Sequence, residues 1–317
     1  MAGVDIGGSG TKACLLDQGH IIATAALPTD MTDSGGLAGL VVRVLDVVLA
    51  ESGRELIELS AIGIGVPGQV NEGAVRNAAN LGIDETGFDL GGIVSSATQV
   101  ATIVENDMRV AAYGAFTQST ASDPSIRSLV YVGLGTGVSA GVVLDGEIFR
   151  GSRGLAGEFG HVPMGSDITC VCGSVGCLET VVGAAGLRQS WDGENAGSVF
   201  TSAATGNTRA KTVADKAIGY LADGMWWLAA TYDPDLFFIG GGVGANTPSI
   251  RSLLAARWVE MGASSAFARR VLDPDRIRLY DLEEPVGAYG AALLAAAGRD
   301  RSGKRHATAT REEESIP

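Results

Sequence analysis

The triplet Glu105-Asn106-Asp107 stands where an apolar run, Thr102-Ile103-Val104, gives way to a helical pattern from about Met108 to Phe116. A carboxylate at a strand end can accept a proton from an alcohol nucleophile. Phosphoryl transfer asks a protein for little beyond such a base, positioning, and positive charge near the leaving phosphates. The plain alternative is a helix cap, a common duty of both Asn and Asp. Taken alone, the triplet favours the cap over a base at Asp107.

A second group of reactive side chains follows in a glycine-rich stretch. Glu158-Phe159-Gly160-His161 precedes Cys170-Val171-Cys172-Gly173-Ser174-Val175-Gly176-Cys177. One imidazole and three close thiols supply four ligands for tetrahedral zinc, and the glycines let the chain wrap an ion. With every ligand place filled by protein, such an ion would be structural, fixing the loop that carries Glu158. Free buried thiols or one disulfide are the alternatives. Cys14 lies in an apolar strand and reads as a core residue.

The elements that must position these groups show an internal repeat. Val4-Asp5-Ile6-Gly7-Gly8-Ser9-Gly10 leads to Lys12–Leu16, then Asp17-Gln18-Gly19 and Ile21–Ala23. Val132-Gly133-Leu134-Gly135-Thr136-Gly137 leads to Ala140–Leu144, then Asp145-Gly146 and Ile148-Phe149. Each copy reads as strand, glycine turn, strand, tight turn, strand. Glycine lets a backbone approach phosphate closely, and N–H groups and hydroxyls at the tips can hold its oxygens. Two matched tips predict two related α/β lobes facing one ligand; one tip by itself would be an ordinary hairpin turn.

The rest of the chain alternates. Leu37–Leu49 has a helical pattern, Ala61–Val66 reads as a buried strand, and residues 117–128 read as the crossing between lobes. Val213–Ala230 is an amphipathic helix, Asp235–Ile239 a strand entering Gly240-Gly241-Gly242, and Pro285–Ala297 a closing helix. From Gly298 the chain is polar and charged, and is expected to form a flexible tail over 298–317. Gly63-Ile64-Gly65-Val66-Pro67-Gly68 spells a dinucleotide fingerprint, with Asp84 at roughly the right interval. However, Gln69–Gly73 reads as a strand and turn where that fold needs a helix.

Hydrophobic residues make up 46% and charged residues 19%, enough for a large core, and 317 residues suggest two lobes. The net charge of −13 repels phosphate backbones, so nucleic acid is not expected as a partner. No secretory pattern precedes the first strand. The longest uncharged run, Leu129–Leu144, is broken by glycines, so neither export nor membrane insertion is expected. A cytoplasmic setting follows, and it argues against the disulfide.

These motifs together resemble the ROK family of bacterial sugar kinases and repressors over about residues 3–297. The resemblance rests on Asp5-Ile6-Gly7-Gly8, Glu105-Asn106-Asp107, Leu134-Gly135-Thr136-Gly137, Gly157-Glu158-Phe159-Gly160-His161, and the cysteine run ending at Glu179. Within the family the chain looks most like the zinc-containing actinobacterial glucokinases. The resemblance implies a duplicated actin-like (ribonuclease H-like) two-lobed sugar kinase fold with an interlobe cleft. Its N-terminal lobe would span 1–118, closed by a helix at about 285–297, and its C-terminal lobe 119–284, with a zinc loop at 158–179. It implies Asp107 as general base for the 6-hydroxyl of a hexose. Asn80, Asn106, Glu158, His161 and Glu179 would hold the other hydroxyls, His161 also serving zinc with Cys170, Cys172 and Cys177. Asp5 and the loop Gly7, Gly8, Ser9, Gly10, Thr11 and Lys12 would face the phosphates of ATP and their Mg2+. Gly135, Thr136 and Gly137 would lie opposite, with Gly241 and Gly242 near the adenosine. A homodimer or homotetramer is implied.

Three positions depart from the family pattern. The first glycine loop is longer than the usual Gly-Gly-Thr-Lys and is similar to that of polyphosphate glucokinases, which leaves polyphosphate as an alternative donor to ATP. The gap between His161 and Cys170 is one residue short, and the family's tryptophan after Asn80-Leu81-Gly82 is missing. The expected activity is glucokinase. Kinases for mannose, fructose, N-acetylglucosamine or N-acetylmannosamine are the near alternatives. A sugar-responsive regulator is the alternative from another class; it would carry a DNA-reading helix-turn-helix ahead of the first hairpin, where only Met1–Gly3 stand. A catalytically silent sugar binder is the third.

Overall fold

A computed structural model of the chain describes residues 1–30, 36–71, 73–78, 81–193, 195–280 and 285–298. The chain divides into two compact units, Met1–Gly114 with the segment from Pro285 onward, and Ala115–Glu284. Asn80 and the expected tail beyond Gly298 lie outside the described residues.

In the first unit, β1 (Ala2–Ile6), β2 (Gly10–Asp17) and β3 (His20–Pro28) form an antiparallel meander. β4 (Ile62–Val66) and β7 (Thr102–Asn106) extend it in parallel, giving the order β3-β2-β1-β4-β7. Gln18 and Gly19, at φ 48° and 84°, make the two-residue turn between the paired Asp17 and His20. Positive φ at both central positions is the turn whose twist matches that of the strands it joins. One face of the sheet is covered by α1 (Gly36–Ser52), which buries Leu37, Leu40, Val41, Val44, Leu45 and Val48 at helical spacing. The short helix α2 (Leu90–Thr98) lies on the same core, its first turn capped by Asp89 accepting from Gly92 N–H.

Helical residues 286–298 cover the opposite face, with Ala288 and Ala292 packed on Cys14 and Leu16. Cys14 is thus a core residue, as its apolar strand suggests. The helix approaches so closely that a Cβ on Gly63 would stand 1.9 Å from the Ala291 carbonyl oxygen, and one on Gly3 1.8 Å from that of Ala288. The fingerprint-like glycines at 63–68 therefore serve packing. Gly68 (φ 98°) then turns the chain into the hairpin β5 (Gln69–Asn71) and β6 (Ala74–Arg76), where a dinucleotide site would need a helix.

The second unit repeats the plan. β8 (Ser128–Leu134), β9 (Val138–Leu144) and β10 (Glu147–Ile148) form the meander, and β11 (Leu236–Gly240) and β12 (Ile277–Leu279) add in parallel. The order β10-β9-β8-β11-β12 is that of the first sheet, and Asp145 and Gly146 (φ 50° and 80°) repeat the tight turn. The long helix Thr208–Tyr232 buries Ala214, Ala217, Ile218, Leu221 and Met225 against this sheet. Trp258, from the helix Ile250–Gly262, packs edge-to-face on Phe237 at 5.5 Å.

One helix differs from expectation. α3 (Asp107–Ser122) continues through the first half of the stretch 117–128 expected as a crossing. Its hydroxyls turn back onto the helix: Ser119 donates to Ala115 O (2.7 Å) and Thr120 to Phe116 O (3.1 Å). Polar side chains that usually compete with a helix are here absorbed by it. Among the described residues no helix is long and apolar enough to cross a membrane.

The tight seat of helical residues 286–298 gives a direct test. Gly63→Ala is expected to lower the free energy of unfolding by about 2 kcal/mol or more, as overpacking does where only backbone can yield. Urea denaturation of the full chain measures it.

Candidate functional site

In the first unit the expected site residues Asp5, Asn106 and Asp107 gather at the C-terminal ends of β1 and β7, beside Gly65 of β4. Asn106, the last residue of β7, caps α3: its Oδ1 accepts from the N–H groups of Met108 (3.0 Å) and Arg109 (3.2 Å), and its Nδ2 donates to Gly68 O (3.0 Å). Asp107 thus occupies the first helical position, half-buried, with Oδ1 accepting from Met108 N–H at 2.9 Å. The cap expected of the triplet is supplied by Asn106, and the Asp107 side chain stands beside it. Asn106 is buried and its amide is engaged in this frame.

Beneath the triplet lies a pair that the sequence reading missed. Arg109, 1% exposed, donates Nη1 to Glu105 Oε1 (2.7 Å), which also accepts from Asn106 N–H (2.8 Å). The same nitrogen reaches Val70 O at 3.4 Å, tying the β5–β6 hairpin to the start of α3. An i,i+4 carboxylate–guanidinium spacing is its only sequence signal.

Asp5 is next to Asp107 in this frame. A Cβ on Gly65 would stand 3.4 Å from Asp5 Oδ1 and 3.5 Å from Asp107 Cα, and one on Gly287 2.3 Å from Asp5 Oδ2. Two glycines therefore make room for one carboxylate. Burial pushes the Asp5 carboxyl from 3.8 up to about 7; the charge of Asp107 adds to the rise, and Lys12 opposes it. Lys12 is the register partner of Asp5 across β1 and β2 and is exposed.

The turn Gly7-Gly8-Ser9 closes with Gly7 N–H on Gly10 O (3.0 Å) and leaves Gly8 and Ser9 exposed. Thr11 departs from the expected phosphate-facing role. It is fully buried, and its hydroxyl lies 3.0 Å from that of Thr29.

In the second unit, the turn Gly135-Thr136-Gly137 closes with Gly135 N–H on Gly137 O (3.0 Å), and Thr136 is exposed. Two glycines press the Glu158 loop onto β9: a Cβ on Gly157 would stand 1.9 Å from Ala140 O, and one on Gly160 1.8 Å from Val138 O. Glu158 and His161 are left half-exposed, with His161 Nε2 4.0 Å from Glu158 Oε2. The other ring nitrogen, Nδ1, turns toward Cys170 Sγ (3.6 Å) and Glu179 Oε1 (3.6 Å).

The ligand atoms of His161, Cys170, Cys172 and Cys177 all lie within 4.8 Å of one another. Cys172 and Cys177 are free thiols with sulfurs 3.6 Å apart, well beyond a bond of about 2.05 Å. Zinc–sulfur bonds of about 2.3 Å in a tetrahedron place sulfurs about 3.8 Å apart, so the donor set and its spacing fit that ion. A Ser174 N–H pushes the Cys172 thiol down to about 6, whereas burial pushes Cys170 and Cys177 up. Cys170 donates to Glu179 Oε1 at 2.9 Å. A buried hydroxyl pair, Ser166 and Thr180 (3.1 Å), braces the loop, with Thr180 donating to Cys177 O at 2.7 Å.

Glu179 joins the thiol–imidazole cluster to the glycine turn. A Cβ on Gly137 would stand 2.6 Å from Glu179 Oε2. After the short helix that Glu179 opens, the N–H groups of Ala184 and Ala185 donate to Gly135 O (2.9 Å) and Thr136 O (3.4 Å). Of the later glycines, Gly241 (φ 78°) presses on the Leu134 backbone, 2.6 Å from its carbonyl oxygen for an added Cβ, while Gly242 faces open space.

Two sheets of identical order, each with a glycine-tipped first hairpin, are the duplicated actin-like fold of sugar kinases. A ROK hexokinase structure from Thermus thermophilus superposes with a TM-score of 0.76 at 26% identity, covering 95% of this chain and 99% of that one. A glucokinase from Halalkalibacterium halodurans is 30% identical over 319 residues, covering 92% of this chain and 93% of that protein. An N-acetylmannosamine kinase from Salmonella heidelberg is 28% identical over 310 residues, covering 95% and 94%. The ROK family model matches residues 1–297, and the chain belongs to that family.

The raised Asp5 carboxyl has a consequence for stability. Between about pH 4 and pH 7 the folded chain holds a proton that the unfolded chain releases, so this group's contribution is fully present below pH 4 and is lost as pH rises through 7. Asp5→Asn is expected to be more stable than the parent at pH 8, with the gain shrinking toward pH 5. Melting temperatures across that range measure it.

Proposed function

We propose that the protein is an ATP-dependent hexose kinase acting on the 6-hydroxyl, with glucose as its first candidate substrate. The observation that carries this is the division of labour in the triplet: Asn106 holds the helix while Asp107 keeps a half-exposed carboxylate at its first position. In the reaction, Asp107 takes the hydroxyl proton as the sugar oxygen bonds to the γ-phosphorus and the bond to the ADP oxygen breaks. Glu158, His161 and Glu179 orient the sugar hydroxyls. The two glycine turns, with Asp5 and Lys12, receive the donor phosphates and their Mg2+. Gly242, which faces open space, is the better placed of the two later glycines to admit the adenosine. The relatedness to both a glucokinase and an N-acetylmannosamine kinase at nearly equal identity supports hexose chemistry and keeps N-acetylhexosamine as a second reading.

Asp107→Asn, which keeps the shape of the side chain, is expected to reduce sugar-dependent ADP release by about 10²-fold or more, with melting temperature unchanged. A panel of glucose, mannose, fructose and the two N-acetylhexosamines, crossed with ATP and polyphosphate, assigns acceptor and donor. Full activity in Asp107→Asn would remove the base assignment.

We further propose that His161, Cys170, Cys172 and Cys177 hold one structural zinc. The ion would fix the loop that carries His161 and Glu179, with Nδ1 turned to the metal and Nε2 left for substrate. Metal analysis should find about one zinc per chain. Cys172→Ser should lose it and melt at a lower temperature; a purified protein free of zinc and unaffected by chelator would dismiss the site.

A further inference from the structure

Thr29 lies just past β3, half-buried, in a stretch that carries no recognisable motif. Its hydroxyl donates to the Gly7 carbonyl at 2.7 Å and lies 3.0 Å from the buried Thr11 hydroxyl. Its backbone N–H donates to the Ser9 carbonyl at 3.3 Å. One residue thus grips the first glycine turn at its entry, at its tip and at the strand that leaves it.

We infer that Thr29 is the positioning residue of the first glycine turn, holding Gly7–Ser9 in the shape that receives the donor's phosphates. The inference rests on the kinase reading for the role of that turn, but the clamp itself is read from the contacts. The turn needs such a clamp. Gly7, Gly8 and Gly10 have wide backbone freedom, and a turn that must present its amides to phosphate loses affinity for every alternative shape it visits. Its only described internal backbone tie is Gly7 N–H to Gly10 O. Thr29 supplies an outside tie to two of its carbonyls, which leaves the N–H side of the turn for an anion. Pro28 delivers Thr29 to this point: it pairs in register with Gly10, and its ring fixes the chain direction at the strand end. The contact to Ser9 also explains how a turn longer than Gly-Gly-Thr-Lys is kept ordered.

Thr29→Val deletes the hydroxyl and keeps the shape; Thr29→Ser keeps the hydroxyl and drops a methyl group. Thr29→Val is expected to weaken magnesium ATP about tenfold, in calorimetric Kd and in KM, by the usual worth of a lost hydrogen bond. The KM for sugar should stay within about twofold, the pattern of a donor-side loss. Amide hydrogen exchange in the peptide spanning Gly7–Gly10 should quicken, and Thr29→Ser should behave as the parent. The assignment is overturned if Thr29→Val leaves both ATP affinity and exchange unchanged. It is equally overturned if both KM values rise together with a lowered melting temperature, or if Thr29→Ser is as damaging as valine. If the parent protein binds magnesium ATP yet phosphorylates no sugar, the kinase reading fails, and Thr29 is judged on the ATP Kd and exchange alone. If the parent binds no magnesium ATP, both fall.

Discussion

A carboxylate taken out of water is costly, because desolvation disfavours its charged form, and a second carboxylate nearby adds repulsion to that cost. In the first unit Asp5 is brought to that condition at the end of β1, with the charge of Asp107 as the lesser contribution. Gly65 and Gly287 make the room, and Lys12 offers a partial counter-charge from the neighbouring strand. Asn106 and the buried Glu105–Arg109 pair lock the start of α3 so that Asp107 cannot retreat. Stability is surrendered at Asp5 and recovered in the surrounding core, as functional sites commonly do. A divalent cation arriving with a phosphate donor would reverse the sign of that local repulsion.

The second unit solves a different problem, that of stiffening a loop with little apolar content. The described core of this unit is built around β8, β9, β11 and the long helix Thr208–Tyr232, and the cysteine loop lies beyond it with Val171 and Val175 exposed. The ligand atoms of His161, Cys170, Cys172 and Cys177 lie within 4.8 Å of one another, and an ion held by them would substitute for a core there. Their influence does not stop at the loop. Glu179 stands two residues past Cys177, touches Cys170, and lies where a side chain on Gly137 would be. Ala184 and Ala185 then bond the turn carbonyls. The two glycine turns are thus braced by unlike devices, a threonine in one unit and a helix start tied to the thiol cluster in the other.

The parts of this plan that were legible in the sequence are those encoded by local rules. Gly19 and Asp145-Gly146 mark tight turns because glycine, and more sparingly Asp, accepts the positive φ that these turns require. Matched spacing around them exposed the repeat at 4–23 and 132–149. The extension of the repeat to β4, β7, β11 and β12 was not legible, since parallel neighbours are joined through long crossovers with no shared motif. The chemical triplet and the thiol cluster were readable because their side chains are near in sequence. Thr29, Gly65, Gly287 and the Ser166–Thr180 pair were not, because each acts on a partner distant along the chain or through an absence of side chain. Thr11 was misread for a related reason: strand alternation turns it inward between the outward-facing Lys12 and the glycine turn.

The helix at 107–122 shows how far composition can mislead. Thr, Ser and Asp after Phe116 suggest an irregular crossing, yet the helix absorbs them by returning hydroxyls to carbonyls one turn back. The chain passes from one compact unit to the other within this helix, at Gly114 and Ala115. Its first residue is Asp107, and Gly114 is held near helical residues 286–298, where a Cβ would stand 2.6 Å from Val286 O. Backbone hydrogen bonds therefore run from Asp107 through the residues at which the units divide, and the hydroxyls of the last turns are spent on the same element rather than on an irregular loop.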